Sequence, residues 1–242
     1  MDLRKYITTS EKGPTLHVNE DFCFYDLKHL LFLVLDGMGG SGIGDIAAEK
    51  TAMRIKEHYL KFSKDPDATM PFYFNNLYNL ELNSLINCLH FSHKDLFKEN
   101  LSKEEFMRAA VTGQFACQAE GKLNLVSVGS GFTFLIRENT IHSIYKNDLC
   151  VNSIRTSTNM TYIPMSPVGM NFDLIYFVKE FEIQKGDRFI LGTDGAFSHL
   201  SDAEILNWLN KKELTKENLI EVLELNNAKG NQDNQSVIVL EY

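Results

Sequence analysis

The sequence predicts an α+β fold, a layered sandwich built from blocks of hairpin-connected strands with helices between them. Two observations carry this reading. Short apolar runs bounded by turn residues recur at both ends of the chain, and between them the apolar period switches to helical spacing. Asp21 to Asp26 (DFCFYD) and His29 to Asp36 (HLLFLVLD) read as two strands with Leu27-Lys28 as the turn between them. Over 43–62, Ala48, Ala52, Ile55, Tyr59 and Phe62 form one apolar stripe, and Ser63-Lys64-Asp65-Pro66-Asp67 closes that helix. A second helix is predicted over 75–99, with Leu82, Leu85, Ile86, Leu89 and Leu96 on its buried side.

From Phe106 the period changes again. Residues 108–118, 122–129 and 131–138 read as strands, broken by Ala119-Glu120-Gly121 and by Gly129-Ser130-Gly131. Residues 143–172 have little period and predict a flap or long loop. Strands return at 174–183 and 187–194, joined by the Gln184-Lys185-Gly186-Asp187 turn. Ser201 with Glu204 forms a capping box ahead of Ile205, Trp208 and Leu209. A helix over 215–227 and a strand from Ser236 to Tyr242 complete the chain. No repeat or linker interrupts it, so residues 1–242 are expected to form one domain.

Composition narrows the function. Hydrophobic residues make up 44% and charged residues 23%, an ordinary globular balance. A net charge of −8 argues against nucleic acid, whose phosphates call for a basic face. No run approaches the roughly 20 apolar residues of a membrane span, and the start lacks the apolar core of a secretory signal. Cys23, Cys88, Cys117 and Cys150 show neither paired-thiol nor zinc spacing. A cytoplasmic protein with free thiols and no membrane partner is expected.

The informative residues are four acidic clusters at strand ends or turns: Asn19-Glu20-Asp21, Asp36-Gly37-Met38-Gly39-Gly40, Thr193-Asp194-Gly195 and Asp233-Asn234. Carboxylates on rigid elements, with glycine beside them for close approach, suit hard divalent cations. The second cluster is also a G-x-G-x-x-G run (Gly37 to Gly42), which raises a dinucleotide-binding alternative. Asp36 would set a carboxylate beside the pyrophosphate, and a helix occupies the interval where a second strand should end in an acid. Both count against that reading. His90 and His93 are three apart on a helix without acidic or cysteine partners, and read as solvated or capped histidines.

Taken in order, VNEDFCFYD, LFLVLDGMGGSGIGDIAAEKTA, LNLVSVGSGFTFLI, IQKGDRFILGTDGAFSHLSDAEI and NQDNQSVIVLEY resemble the PPM superfamily of metal-dependent protein phosphatases (the protein phosphatase 2C family) in its bacterial form. The resemblance implies a four-layer αββα sandwich of two antiparallel sheets meeting at a centre of two divalent ions, Mn²⁺ or Mg²⁺. Asp36 would bridge the two ions. Asp194 and Asp233 would hold one, with Glu20 or Asp21 and the Gly37 carbonyl on the other. Asp36, Asp194 and Asp233 are then the catalytic set. The implied activity is serine/threonine phosphoprotein hydrolysis by in-line attack of a metal-activated hydroxide, with no covalent intermediate.

Two positions depart from the family. The arginine that grips substrate phosphate, three residues before the Glu of the first motif, is Leu16 here. The Gly-Asp-Ser-Arg of typical members reads Gly129-Ser130-Gly131-Phe132, so a third metal site is expected to be absent or weak. His17, next to Leu16, and Arg155, in the predicted flap, are the substitute phosphate contacts the sequence offers. On an extended strand His17 would point away from the face of Leu16. These departures also suggest the competing reading, a phosphatase-fold regulatory or binding protein with weak or no turnover.

Overall fold

The computed structural model of the chain describes residues 2–39, 42–65, 67–146, 149–152, 161–164, 166–211 and 213–242. In chain order the elements are β1 (Lys5–Glu11), β2 (Asp21–Asp26), β3 (Leu31–Gly39), α1 (Gly44–Phe62), α2 (Leu80–Leu101), β4 (Ala109–Ala119), β5 (Lys122–Val128), β6 (Phe132–Arg137), β7 (Thr140–Lys146), β8 (Leu149–Asn152), β9 (Thr161–Pro164), β10 (Phe177–Glu182), β11 (Arg188–Gly192), α3 (Asp202–Leu209), α4 (Lys216–Ala228) and β12 (Gln235–Glu241). Two five-stranded sheets, ordered β10-β5-β4-β3-β2 and β1-β12-β11-β6-β7, pair antiparallel throughout.

Alternation along single strands builds the four layers. In β3, Leu31, Leu33 and Leu35 pack under α1 and α2 with Ala48, Ile55 and Leu85. The intervening Phe32 and Val34 join Leu125, Phe189, Leu191, Ile238 and Leu240 between the sheets. On the far side, Ile190, Val237 and Val239 meet Ile205, Leu209, Val222 and Leu223 from α3 and α4. Each such side chain, fully buried, contributes about 1.5–3 kcal/mol. A strand buried on both faces reads as a continuous apolar run, which is why β3 and β12 stand out in the sequence. Arg137 locks one sheet edge by donating from Nε and Nη2 to the Asp187 carboxylate at 2.8 and 2.6 Å.

Several sequence expectations need correction. β1 was not anticipated, because KYITTSE is mostly polar; it becomes a strand by pairing with β12 and burying only Ile7 and Thr9. β7 was likewise missed, and it extends into the predicted flap as far as Lys146. Beyond it, the described part of 143–172 holds the β8–β9 ribbon and a bridge between Val168 and Val111. The second helix starts five residues later than its apolar period suggested. Asn79 caps it, and the Asn83 and Asn87 side chains accept the Asn75 and Phe72 amides, holding the preceding segment out of the helix. The Ser201–Glu204 capping box is present as anticipated. Among the described residues, no helix is long and apolar enough to cross a membrane.

Candidate metal centre

The four acidic segments, up to 212 positions apart between Asp21 and Asp233, arrive at one end of the two sheets. Asp21 opens β2 and faces Asp36 of β3 in register, while Asp36 also faces Thr112 of β4. In the other sheet, Thr193-Asp194-Gly195 leaves the end of β11, and Asp233-Asn234 enters the start of the adjacent β12. Each sheet therefore delivers two carboxylate segments to the same gap.

Hydrogen bonds lock the sheets together at that gap. Thr193 Oγ1 donates to Asp21 Oδ2 at 2.9 Å and accepts the Ser236 amide at 3.1 Å, so one hydroxyl ties β2 to β12. Asn234 Oδ1 accepts the Glu20 amide at 2.8 Å, and its Nδ2 donates to the carbonyls of Lys12 and Val18. The Gly37 amide donates to the Glu20 carbonyl, and Glu20 Oε1 accepts the Gly44 amide at the start of α1. Behind the Asp194 turn, the buried Asn226 donates to the Gly195 carbonyl and to Gln235 Oε1. Buried side-chain amides satisfied this completely fix the turns they hold.

Glycine is required at two of these crossings. A Cβ on Gly37 would sit 2.0 Å from the Gly44 carbonyl oxygen, and one on Gly195 would sit 2.1 Å from that of Asn234. The glycine of Asp36-Gly37 thus serves the packing of β3 on the first turn of α1. No dinucleotide cradle results, because β3 lies antiparallel to both its neighbours and not in a βαβ unit.

Burial and mutual repulsion dominate the electrostatics. Burial pushes the Asp21 carboxyl up to about 8, against hydrogen bonds from Ser236 and Thr193, with the charges of Asp233 and Asp194 adding to the rise. Burial raises Asp36 well above the usual carboxylate range, and Asp21, Asp194, Asp233 and Glu20 all raise it further. Asp194 and Glu20 are raised mainly by burial too; the Ser130 hydroxyl works the other way on Asp194. Among the described residues none of these carboxylates forms an ion pair with a lysine, arginine or histidine.

An all-oxygen cluster, with Asp21 buried, Glu20, Asp36 and Asp194 half-buried and Asp233 exposed, suits a hard divalent ion in kind. As the side chains stand, no three acidic, histidine or cysteine groups among the described residues close on a common point. The backbone brings the donor segments to one end of the sheets.

The remaining predicted residues fall differently. Leu16 and His17 are exposed on an irregular segment between β1 and β2, so the strand-alternation argument about His17 does not apply. His17 makes no hydrogen bond to the carboxylates. Arg155 lies outside the described residues. Ser130 is buried and shares a 2.8 Å hydrogen bond with Thr112, a pairing that sequence alone left without a role. His93 is a correction: it is buried, accepts the Gly169 amide at 3.1 Å and stacks on Phe97, and so has a structural role. Cys23, Cys88 and Cys117 are free thiols. Sequence reading missed Asn226, since a lone asparagine in a helical stripe carries no sign of a partner across the fold. It placed Thr193 and Asn234 among the acidic clusters without recognising them as clamps between sheets.

No protein-family model and no curated protein sequence matches the chain. Solved structures do. The serine/threonine phosphatase PstP/Ppp of Mycobacterium tuberculosis superposes with a TM-score of 0.77 at 22% identity, covering 98% of this chain and 97% of that one. The PstP catalytic domain in complex with two manganese ions gives 0.76 at 21% identity over 98% and 97%. The PPM phosphatase MsPP of Mycobacterium smegmatis, in complex with cacodylate, gives 0.75 at 18% over 100% and 99%. The chain therefore has the αββα fold of the PPM serine/threonine phosphatases from end to end.

Proposed function

We propose that this chain is a divergent PPM phosphatase, a Mn²⁺- or Mg²⁺-dependent serine/threonine phosphoprotein phosphatase. The observation that carries the reading is the gathering of Glu20, Asp21, Asp36, Asp194 and Asp233 at one gap between the sheets, with no ion-pair partner among the described residues, on the fold of such enzymes. In this reading Asp36, Asp194, Asp233, Glu20 or Asp21 and the Gly37 carbonyl would hold two divalent ions, with Asp36 shared between them. Such ions would supply charge for the phosphoryl oxygens and acidify a water nucleophile.

The chain's own residues do the positioning. Thr193 and Asn234 hold the two carboxylate pairs at a fixed separation. Asn226 fixes the turn that carries Asp194. Gly37 lets α1 approach so that Glu20 is oriented by the Gly44 amide. The phosphorylated partner is a phosphoserine or phosphothreonine protein.

Two observations favour the second reading, a phosphatase-fold regulatory protein with little turnover. Leu16 removes the expected phosphate-gripping guanidinium, and the donor side chains do not close on a point. Hydrolysis of p-nitrophenyl phosphate and of a phosphothreonine peptide, with Mn²⁺ and then with excess chelator, separates the two. Turnover that requires Mn²⁺ is expected; no Mn²⁺-dependent release of phosphate from either substrate rejects the enzyme reading.

A further inference from the structure

Resting on the phosphatase reading, we propose that Lys146 is the phosphoryl-binding cation of this chain, taking the part that Leu16 leaves empty. A cavity of about 140 Å³ opens beside Asp194, walled by Phe132, Phe134, Phe197 and Leu200, with Lys146 at its rim. Lys146 ends β7 directly opposite Phe132 of β6, so the backbone fixes the origin of its side chain on the face that meets α3. Its neighbour Tyr145 donates its hydroxyl to the Gly129 carbonyl, which ties the end of β7 to the Gly129–Gly131 turn. The turn's Ser130 in turn lies against the Asp194 carboxyl.

Among the described residues the charge of Lys146 has no ion-pair partner. Lys146 and Asp194 line one cavity without pairing, which leaves room for an anion held between Lys146 and the Asp194 side of the centre. Phe132, Phe134, Phe197 and Leu200 wall one part of the cavity, while Ser198, Asp194 and Lys146 give it a polar part suited to an anion. Phe197, which lines this cavity, is held at φ +62°, a backbone state costly for a bulky residue. Strain kept beside a gathering of carboxylates is a mark of a functional rim.

Leu16, by contrast, lies on an exposed irregular segment, and the structure places no guanidinium there. Lys146 is a compact point charge on a flexible stem, so it can meet one phosphoryl oxygen of a bound anion. It is a binding residue in this role and carries no proton to or from the reaction.

The test measures binding and turnover separately. Inorganic phosphate is titrated by calorimetry into the Mg²⁺-loaded protein, and KM and kcat for p-nitrophenyl phosphate are taken with Mn²⁺. Wild type is compared with Lys146→Ala and Lys146→Arg, with Mn²⁺ affinity and thermal midpoint measured on each. Lys146→Ala is expected to weaken phosphate binding and raise KM about tenfold, with metal affinity unchanged, and Lys146→Arg to recover most of both. Equal phosphate affinity and KM in wild type and Lys146→Ala overturns the assignment and leaves the phosphatase reading standing. Phosphate binding that depends on Lys146, without any turnover, supports the assignment and rejects that reading. A metal-loaded wild type that binds no phosphate overturns both.

Discussion

The two sides of the candidate centre are built in opposite ways. The carboxylate side is over-determined: Asp21, Asp36, Asp194 and the Glu20 backbone sit on strand ends or turns clamped by Thr193, Asn234 and Asn226. The side that would grip the substrate is an irregular, exposed stretch around Leu16 and His17 and the exposed Lys146 of β7. The difference teaches where precision is needed. Buried like charges are tolerable only if the fold forces them together, so the fold invests its cross-sheet hydrogen bonds there. A phosphoryl contact at a wet rim asks for one cation within reach, and several positions can supply it. That freedom makes the loss of an arginine at position 16 compatible with an intact carboxylate set.

Removing Asp36, the bridging ligand in the proposed reading, tests the over-determined side most severely. Asp36→Asn is expected to lower Mn²⁺-dependent hydrolysis of p-nitrophenyl phosphate by about a thousandfold. It should also raise the thermal midpoint of the metal-free protein, since a buried, repelled charge is gone, while abolishing the rise that Mn²⁺ gives wild type. A metal-free midpoint that falls instead would contradict the repulsion inferred for this cluster. Differential scanning calorimetry with and without Mn²⁺ reads both effects.

Gly37→Ala probes the packing beneath the centre. A methyl 2.0 Å from the Gly44 carbonyl cannot be housed without moving α1 away from β3. A loss of about 2–4 kcal/mol in urea unfolding is expected. A cost under about 0.5 kcal/mol would mean that the strand end and the helix start are not held as described.

Thr193→Val keeps the shape and deletes the hydroxyl that joins Asp21 to Ser236. Mn²⁺ affinity by calorimetry should fall about ten- to a hundredfold, the usual cost of losing a group that orients a metal ligand. Unchanged affinity would show that Asp21 needs no clamp.

Leu16→Arg addresses the rim and has the smallest effect. Placing a guanidinium at the family position should lower KM for p-nitrophenyl phosphate several-fold, up to about tenfold, with kcat little changed. A KM that stays or rises would indicate that the Leu16 segment does not approach the substrate at all.

What sequence alone determined was whatever depends on local chemistry. Strands buried on both faces, such as Leu31–Leu35 and Val237–Leu240, declare themselves as continuous apolar runs. The α1 stripe and the Ser201–Glu204 box follow from helical spacing and capping. The four acidic clusters were visible because each borders a strand, and their order in the chain pointed to the fold. Tertiary structure decided what depends on a distant partner. β1 is a strand only because β12 offers it an edge, and His93 is structural only because Gly169 arrives beside it. Asn226 and Thr193 act as clamps only once α4 and the two sheets are assembled. Polar side chains keep their hydrogen bonds in any conformation that supplies a partner, water included, so their residue types do not announce which partner folding will choose.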